Sequence, residues 1–243
     1  MQKLAGRTAI ITGASSGIGR GIALELAKAG ARTVLAARNE AALAELAGEI
    51  ADLGSEALAV RTDVSREADI LALFAACQER FGTPDILVNN AGMADATPTH
   101  ELTRERWQQV LDTNLTSYLL CSCEAIRAMK TRGTGGRIIN IGSISAKSPR
   151  ENSAAYSTTK FAIDGLTRSI ALDYREDLIT ASVIHPGATR SMIAPGFSDT
   201  MEGDCLEPRH IGELVCLICS LPADTTLLDA LVLPVRVPFL GRG

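Results

Sequence analysis

The sequence predicts a single α/β domain built on a doubly wound, mostly parallel sheet with helices on both faces. Three observations predict it. Short apolar runs of strand length alternate with longer amphipathic stretches, the βα alternation of parallel sheets. A glycine-rich loop joins the first such run directly to the first helix-like stretch. The 243 residues suffice for one substantial core, and no repeat, linker or low-complexity tract divides them, so residues 1–243 read as one domain.

The first strand spans Thr8 to Thr12 and feeds into Gly13-Ala-Ser-Ser-Gly17-Ile-Gly19. A helix from Gly17 to about Ala29 then places Ile18, Ile22, Leu26 and Ala29 on one side. Strand, glycine loop and helix in this order form a dinucleotide-binding signature, here spaced G-x-x-x-G-x-G. The glycines tighten the turn, admit a pyrophosphate to the backbone and let the helix pack on the strand, while the helix start offers N–H groups. Gly13, Ser15, Ser16, Gly17, Ile18 and Gly19 are the candidate contacts.

The second strand, Thr33 to Ala37, ends at Arg38. An acidic side chain at such a strand end bonds the adenosine ribose hydroxyls of NAD, whereas an arginine favours the 2′-phosphate of NADP. With Ala37 and Arg38 in place, no carboxylate repels that phosphate and a guanidinium is available to bind it. NADP is the expected cofactor, with NAD as the alternative if Arg38 is only a solvated strand-end residue.

Asn39 to Leu53 reads as a helix and Ala57 to Arg61 as a strand, closed by Asp63-Val64. Asp63 has two readings, an acceptor for an adenine amino group or a turn residue before the helix from Glu67 to Phe81. Asp85 to Val88 is a fourth strand. The small and amide residues that follow, Asn89-Asn90-Ala91-Gly92, suit a cofactor approaching the carboxyl end of the sheet. Arg104 to about Arg132 reads as one long helix in which Asn114 is polar amid apolar positions, the pattern of a satisfied core amide. Gly135-Gly136 ends it, and Arg137 to Ile141 is a fifth strand that delivers Ser143. A helix from Ala154 to about Tyr174 follows, then a strand from Ile179 to Ile184 ending at His185-Pro186-Gly187. Met192 to Pro208 reads as a loop, Ile211 to Leu221 as a helix and Ala230 to Val235 as a last strand.

Within the helix that starts at Ala154, Tyr156 and Lys160 lie one turn apart on one face. A free phenol has a pKa of about 10 and exchanges its proton reluctantly at neutral pH. An ammonium at roughly 4 Å, in an effective dielectric constant of about 20, contributes on the order of 4 kcal/mol toward phenolate. Lys160 is expected to supply it and Ser143 to hydrogen-bond the oxygen that exchanges the proton. Met93, Asp95, Ser145, Arg150, Glu151, Asn152 and the Met192 to Pro208 loop are the candidate pocket walls.

The formal charge of −4 argues against a nucleic-acid face or an anionic membrane surface. With no signal-like start and no apolar stretch of about 20 residues, a cytoplasmic location is expected. The six cysteines and three scattered histidines lack metal-site spacing, so the cysteines read as reduced and structural and no metal is expected.

Taken together, the chain resembles the short-chain dehydrogenase/reductase family over nearly its whole length. The resemblance rests on Thr12-Gly13-x-x-x-Gly17-x-Gly19, Asp63-Val64, Asn89-Asn90-Ala91-Gly92, Asn114, Ser143, Tyr156-x-x-x-Lys160 and Pro186-Gly187. It implies a Rossmann-like fold and an oxidoreductase. In such an enzyme Tyr156 is general acid for carbonyl reduction and general base for alcohol oxidation, and Ser143 orients the substrate oxygen. Lys160 holds the nicotinamide ribose and lowers the phenol pKa, and Asn114 supports a water-linked proton relay. Asp63, Val64, Asn90, Ala91, Gly92, Pro186, Gly187, Thr189 and Ser191 join the cofactor contacts. A homodimer or homotetramer built through the two long helices is also implied. Two departures stand out. Ser16 occupies the place where many NADP-dependent members carry a second basic residue, and the terminal LPVRVPFLGRG does not match the family's glycine-rich finish. An NADP(H)-dependent reductase of a ketone or aldehyde leads, ahead of an NAD-dependent alcohol dehydrogenase and a non-catalytic dinucleotide sensor or scaffold.

Overall fold

Strand residues with alternating faces and both faces apolar can be buried only if helices cover the sheet on both sides. The computed structural model, which describes residues 3–190, 205–237 and 239, has that arrangement. Its strands are β1 (Thr8–Thr12), β2 (Arg32–Ala37), β3 (Ala57–Arg61), β4 (Ile86–Asn89), β5 (Gly136–Ile141), β6 (Ile179–Pro186) and β7 (Asp229–Val232). They form one sheet in the order β3-β2-β1-β4-β5-β6-β7, and every pairing among them is parallel. The expectation of a mostly parallel sheet is thereby sharpened.

Seven α-helices are described: α1 (Gly17–Lys28), α2 (Glu40–Asp52), α3 (Glu67–Phe81), α4 (Arg104–Leu111), α5 (Ser117–Arg132), α6 (Ala154–Asp173) and α7 (Pro208–Cys219). Successive residues of a strand point to opposite faces. Ile11 and Leu35 therefore join one core with Ile22 and Leu26 of α1, Leu46 of α2 and Val215 of α7. Ile10 and Val34 join the other with Leu73 of α3, Ala125 and Met129 of α5 and Ile170 of α6. No helix among the described residues is long and apolar enough to cross a membrane.

The order in which strands are added reverses between β1 and β4, parallel neighbours whose carboxyl ends Thr12 and Asn89 lie side by side. Such a switch point opens a crevice for a ligand. Thr12 holds it together: its Oγ1 accepts from Asn90 N at 2.9 Å and from Ala91 N at 3.1 Å while donating to Val88 O at 3.3 Å.

Several boundaries differ from the sequence expectation: α7 runs Pro208–Cys219 where Ile211 to Leu221 was expected, and two further differences have a physical reason. The helix expected from Arg104 to Arg132 is interrupted by a π-turn over Asp112–Thr116, because the Asn114 side chain turns inward to pair with backbone. The last strand is Asp229–Val232, paired with β6 from Val183 to Pro186, and Pro234 cannot donate to the ladder. Ser191 and most of the Met192 to Pro208 loop lie outside the described residues.

Candidate active site

Two adjoining cavities occupy the carboxyl edge of the sheet. The larger, about 780 Å³, is lined by Gly13, Ser15, Ser16, Gly17, Ile18, Arg38, Asp63, Val64, Asn90, Ala91 and Gly92. The smaller, about 280 Å³, is lined by Ser143, Tyr156, Lys160, Pro186, Gly187 and Thr189. Ile18, Asn90 and Gly92 border both.

The larger cleft is made chiefly of backbone. Gly13 has φ +66°, and a Cβ there would lie 2.8 Å from Asn90 Nδ2. Gly19 stays out of the lining but is equally constrained, since its Cβ would meet Gly13 O at 2.2 Å. Asn90 Nδ2 donates to Thr12 O at 2.9 Å and to Gly13 O at 3.2 Å, locking the loop against β4. Ser16 is the N-cap of α1, yet its side chain makes no capping bond, and the first turn carries no acidic residue. The positive end of the helix dipole is thus uncompensated by protein charge, which suits an anion. A dinucleotide pyrophosphate fits this cradle.

At the adenosine end Arg38 is exposed at the mouth of the cleft. Its charge and that of Arg66 are minor contributors holding the Asp63 carboxyl below its ordinary pKa. The leading contributor is the Ser65 hydroxyl bond, which outweighs the opposing effect of burial. Asp63 Oδ1 accepts from Ser65 Oγ at 2.7 Å and from Ser65 N at 3.0 Å. Of its two sequence readings, the turn before α3 is the one the hydrogen bonds express, and the side chain still borders the cleft.

The smaller cavity holds the titratable groups. Ser143 follows β5 and caps a short 3-10 turn, Ile144–Ala146, with Oγ accepting from Ser145 N at 3.1 Å. Tyr156 and Lys160 project from the first two turns of α6. Burial raises the Tyr156 phenol above its ordinary pKa, against the lowering effects of a hydrogen bond from Ser143 and the charge of Arg150. Lys160 is buried, donates to Ile141 O at 2.9 Å and lies 5.6 Å from the centroid of the Tyr156 ring. Burial pulls its pKa down to about 7.

Lys160 was expected to bring the phenol down. Burial lowers the pKa of Lys160 itself, and the charge that lowers the phenol pKa among the described residues is that of Arg150. Sequence reasoning placed Arg150 only among pocket walls. The structure puts it there with Asp95, Ser145 and Glu151; Met93 lines the larger cleft instead, and Asn152 lines neither.

Asn114 is fully buried at the π-turn. Its Oδ1 accepts from Met93 N at 2.8 Å, and its Nδ2 donates to Met93 O at 2.9 Å and reaches Thr159 Oγ1 at 3.5 Å. It clamps the loop beyond Gly92, and no described hydrogen bond joins it directly to Lys160. Beyond β6, Gly187 N donates to Val232 O at 2.7 Å, and Thr189 Oγ1 donates to Gly187 O at 3.0 Å. Pro186, Gly187 and Thr189 line the smaller cavity.

The described cysteines are all free. Asp164, His185 and Asp229 come together outside the cavity, a grouping that sequence spacing did not reveal because three separate elements bring it about.

A family model for short chain dehydrogenases matches residues 7–202. The chain is 38% identical over 200 residues to 3beta-hydroxysteroid dehydrogenase 2 of Eggerthella lenta, covering 82% of this chain and 77% of that one. A crystal structure of 3-ketoacyl-(acyl-carrier-protein) reductase from Brucella melitensis, complexed with NADH, superposes with a TM-score of 0.88. It is 32% identical and covers 96% of this chain and 99% of its own. A metagenomic short-chain oxidoreductase in complex with NADP gives 0.85 at 32% identity, covering 96% and 98%. With the family model spanning most of the chain and relatives above 30% identity along it, the chain belongs to the short-chain dehydrogenase/reductase family of oxidoreductases.

Proposed function

We propose that the chain is an NADP(H)-dependent reductase of a ketone or aldehyde, running the reverse alcohol oxidation with the same residues. The observation that carries this reading is the convergence of Ser143, Tyr156 and Lys160 on one cavity that opens into a glycine-built dinucleotide cleft. The nicotinamide cofactor supplies the hydride when bound. Gly13, Ser15, Ser16, Gly17 and Ile18 hold its pyrophosphate side, and Asn90, Ala91 and Gly92 flank it. Arg38 binds the 2′-phosphate, while Asp63 and Val64 border the adenine side.

Tyr156 donates the proton to the carbonyl oxygen. A phenol kept neutral by burial is the right state for an acid. Ser143 hydrogen-bonds the same oxygen and fixes its place beside the phenol. Lys160, with an N–H donor beyond the one given to Ile141, holds a ribose hydroxyl and assists return of the proton to Tyr156. Asn114 contributes by holding the backbone of Met93 at the cavity wall, and Thr189 contributes on the nicotinamide side.

Because Arg38 is an exposed strand-end residue and Ser16 is neutral, an NAD-dependent alcohol dehydrogenase is the second reading. Parallel fluorescence titrations with NADPH and NADH decide between them. Tighter NADPH binding, lost in Arg38→Ala by about 1.5–3 kcal/mol for a charge-assisted contact, supports the NADP reading. Equal or tighter NADH binding rejects it. Relatives named for steroid and 3-ketoacyl substrates make ketones on extended carbon skeletons the first compounds to screen. We also infer a homodimer or homotetramer, because α5 and α6 leave Leu119, Phe161 and Leu172 45%, 48% and 61% exposed, an apolar cost that a second copy removes. A monomer mass by light scattering at micromolar concentration refutes it.

A further inference from the structure

His185 has no part in the mechanism above, yet its imidazole is fully buried directly behind the serine of the site. Nδ1 lies 3.0 Å from Ser143 O and 3.4 Å from Ser143 N. A single ring nitrogen cannot donate to the carbonyl and accept from the amide at once, and the shorter contact assigns the proton to Nδ1. The ring is pressed close: a Cβ on Gly142 would meet Nδ1 at 2.5 Å. Ala146 N donates to the same Ser143 carbonyl at 2.9 Å, so both lone pairs of that oxygen are taken. Ser143 is thereby held at its carbonyl from two sides and at its hydroxyl by Ser145.

The far side of the ring faces a charge cluster. Nε2 is buried without a hydrogen-bond partner, 3.5 Å from Asp229 Oδ1. Asp229 Oδ2 binds Lys147 Nζ and Arg168 Nη2, each at 3.1 Å. Asp164 takes the same two cations, Lys147 at 2.9 Å and Arg168 Nε at 2.9 Å. Donor atoms of Asp164, His185 and Asp229 lie within 4.8 Å of one another, close enough for a metal, but Lys147 and Arg168 already neutralise both carboxylates. A divalent ion would have to displace two ammonium or guanidinium groups, so the cluster does not read as a metal site. It closes off the far side of the ring without bonding it, with Lys147 beyond the 3-10 turn, Asp164 and Arg168 on α6, and Asp229 at the start of β7.

We infer that His185 is a positioning residue for Ser143. Its Nδ1–H fixes the Ser143 carbonyl, and with it the direction of Oγ toward the Tyr156 phenol. The inference rests on the carbonyl chemistry proposed for Ser143 and Tyr156.

A double-mutant cycle on the full chain tests it, using Ser143→Ala, His185→Leu and both together. Turnover is followed by NADPH oxidation with a panel of probe ketones beginning with cyclohexanone. Phenol ionisation, which needs no substrate, is followed by ultraviolet absorbance of each protein against its Tyr156→Phe counterpart. His185→Leu is expected to lower kcat about 10- to 100-fold, the scale of a small misplacement at a reacting centre, with KM and NADPH affinity unchanged. It is also expected to move the phenol titration upward as Ser143→Ala does. In the Ser143→Ala background the same change should add nothing to either readout. His185→Asn, which keeps an N–H for the carbonyl, should recover most of the loss. Equal effects of His185→Leu in both backgrounds, or no effect on kcat and phenol titration, overturn the inference. Should the leucine variant fail to fold, His185→Asn and His185→Gln carry the cycle, with the amide that loses the Ser143 contact showing the loss. A neutral Ser143→Ala would instead sink the carbonyl reading itself.

Discussion

Arg137 and Lys160 are both buried cations, 7% and 4% exposed, at opposite ends of β5. The protein treats them differently. At the amino edge of the sheet, Arg137 donates to Thr180 Oγ1 and Thr225 O at 2.9 and 2.6 Å, and to Leu221 O and Pro222 O at 2.7 and 2.6 Å. Nearby, Asp85 accepts from Arg132, Arg7 and Thr8 N. Arg137 is met by four neutral oxygens and Asp85 by two guanidinium groups, and the result ties the segment after α7 to the sheet. At the carboxyl edge, Lys160 makes one described hydrogen bond, to Ile141 O, and its pKa falls to about 7. A fully satisfied buried cation serves the fold; one left short of partners beside a cavity serves chemistry.

The largest expected effect lies at the under-satisfied edge. Tyr156→Phe removes the proposed proton carrier and keeps the ring, so kcat should fall by about 100-fold or more, the usual scale for a positioned acid. Binding of the nicotinamide cofactor should survive, because the cleft proposed to hold it is mainly backbone. Turnover left intact on an identified substrate would assign the proton to another group and dissolve the contrast between the edges.

Paired substitutions sharpen the comparison through stability. Arg137→Met leaves four acceptors to find new donors and should destabilise the protein by about 2–4 kcal/mol. Lys160→Met should abolish turnover yet stabilise by about 1–4 kcal/mol at neutral pH, as expected when a buried charge gives way to an apolar side chain. The pH dependence follows from Lys160 at about 7 against about 10.4 in the unfolded chain. Between those values the unfolded state binds the extra proton, so stability rises with pH. The cost of burying Lys160 is therefore full below about pH 7 and gone above about pH 10. Lys160→Met should remove that slope, read by urea denaturation at about pH 6 and about pH 9. Parallel slopes in the two proteins would show that Lys160 carries no such cost.

How legible the molecule was follows the same division. The strand, glycine loop and helix from Thr8 to Lys28 could be read directly, because backbone that touches a ligand demands glycine at set spacings whatever surrounds it. Tyr156 and Lys160 were legible because a helix fixes residues four apart on one face. Features built by distant segments were not. Asn114 looks like a core amide in a continuous helix; only the Met93 backbone, 21 positions away, explains the π-turn that admits it. His185 meets Ser143 across 42 positions, and its cluster is completed from α6 and β7. The weakened charge of Lys160 is a consequence of burial, which spacing alone does not report.

The smallest effect belongs to Arg150, exposed at the cavity rim. Burial raises the Tyr156 phenol, while the Ser143 hydrogen bond and the Arg150 charge pull it back. Arg150→Ala removes the last of these, so the phenol should titrate slightly higher. In alcohol oxidation, where the ionised phenol accepts the proton, the rising limb of the pH–rate profile should move to higher pH. In carbonyl reduction the falling limb should move the same way, leaving the rate at neutral pH nearly unchanged. Because Arg150 faces solvent, salt should mimic the substitution in the parent protein and do nothing further to the variant. A shift that salt leaves untouched would mean that Arg150 acts through packing of the turn before α6 and not through its charge.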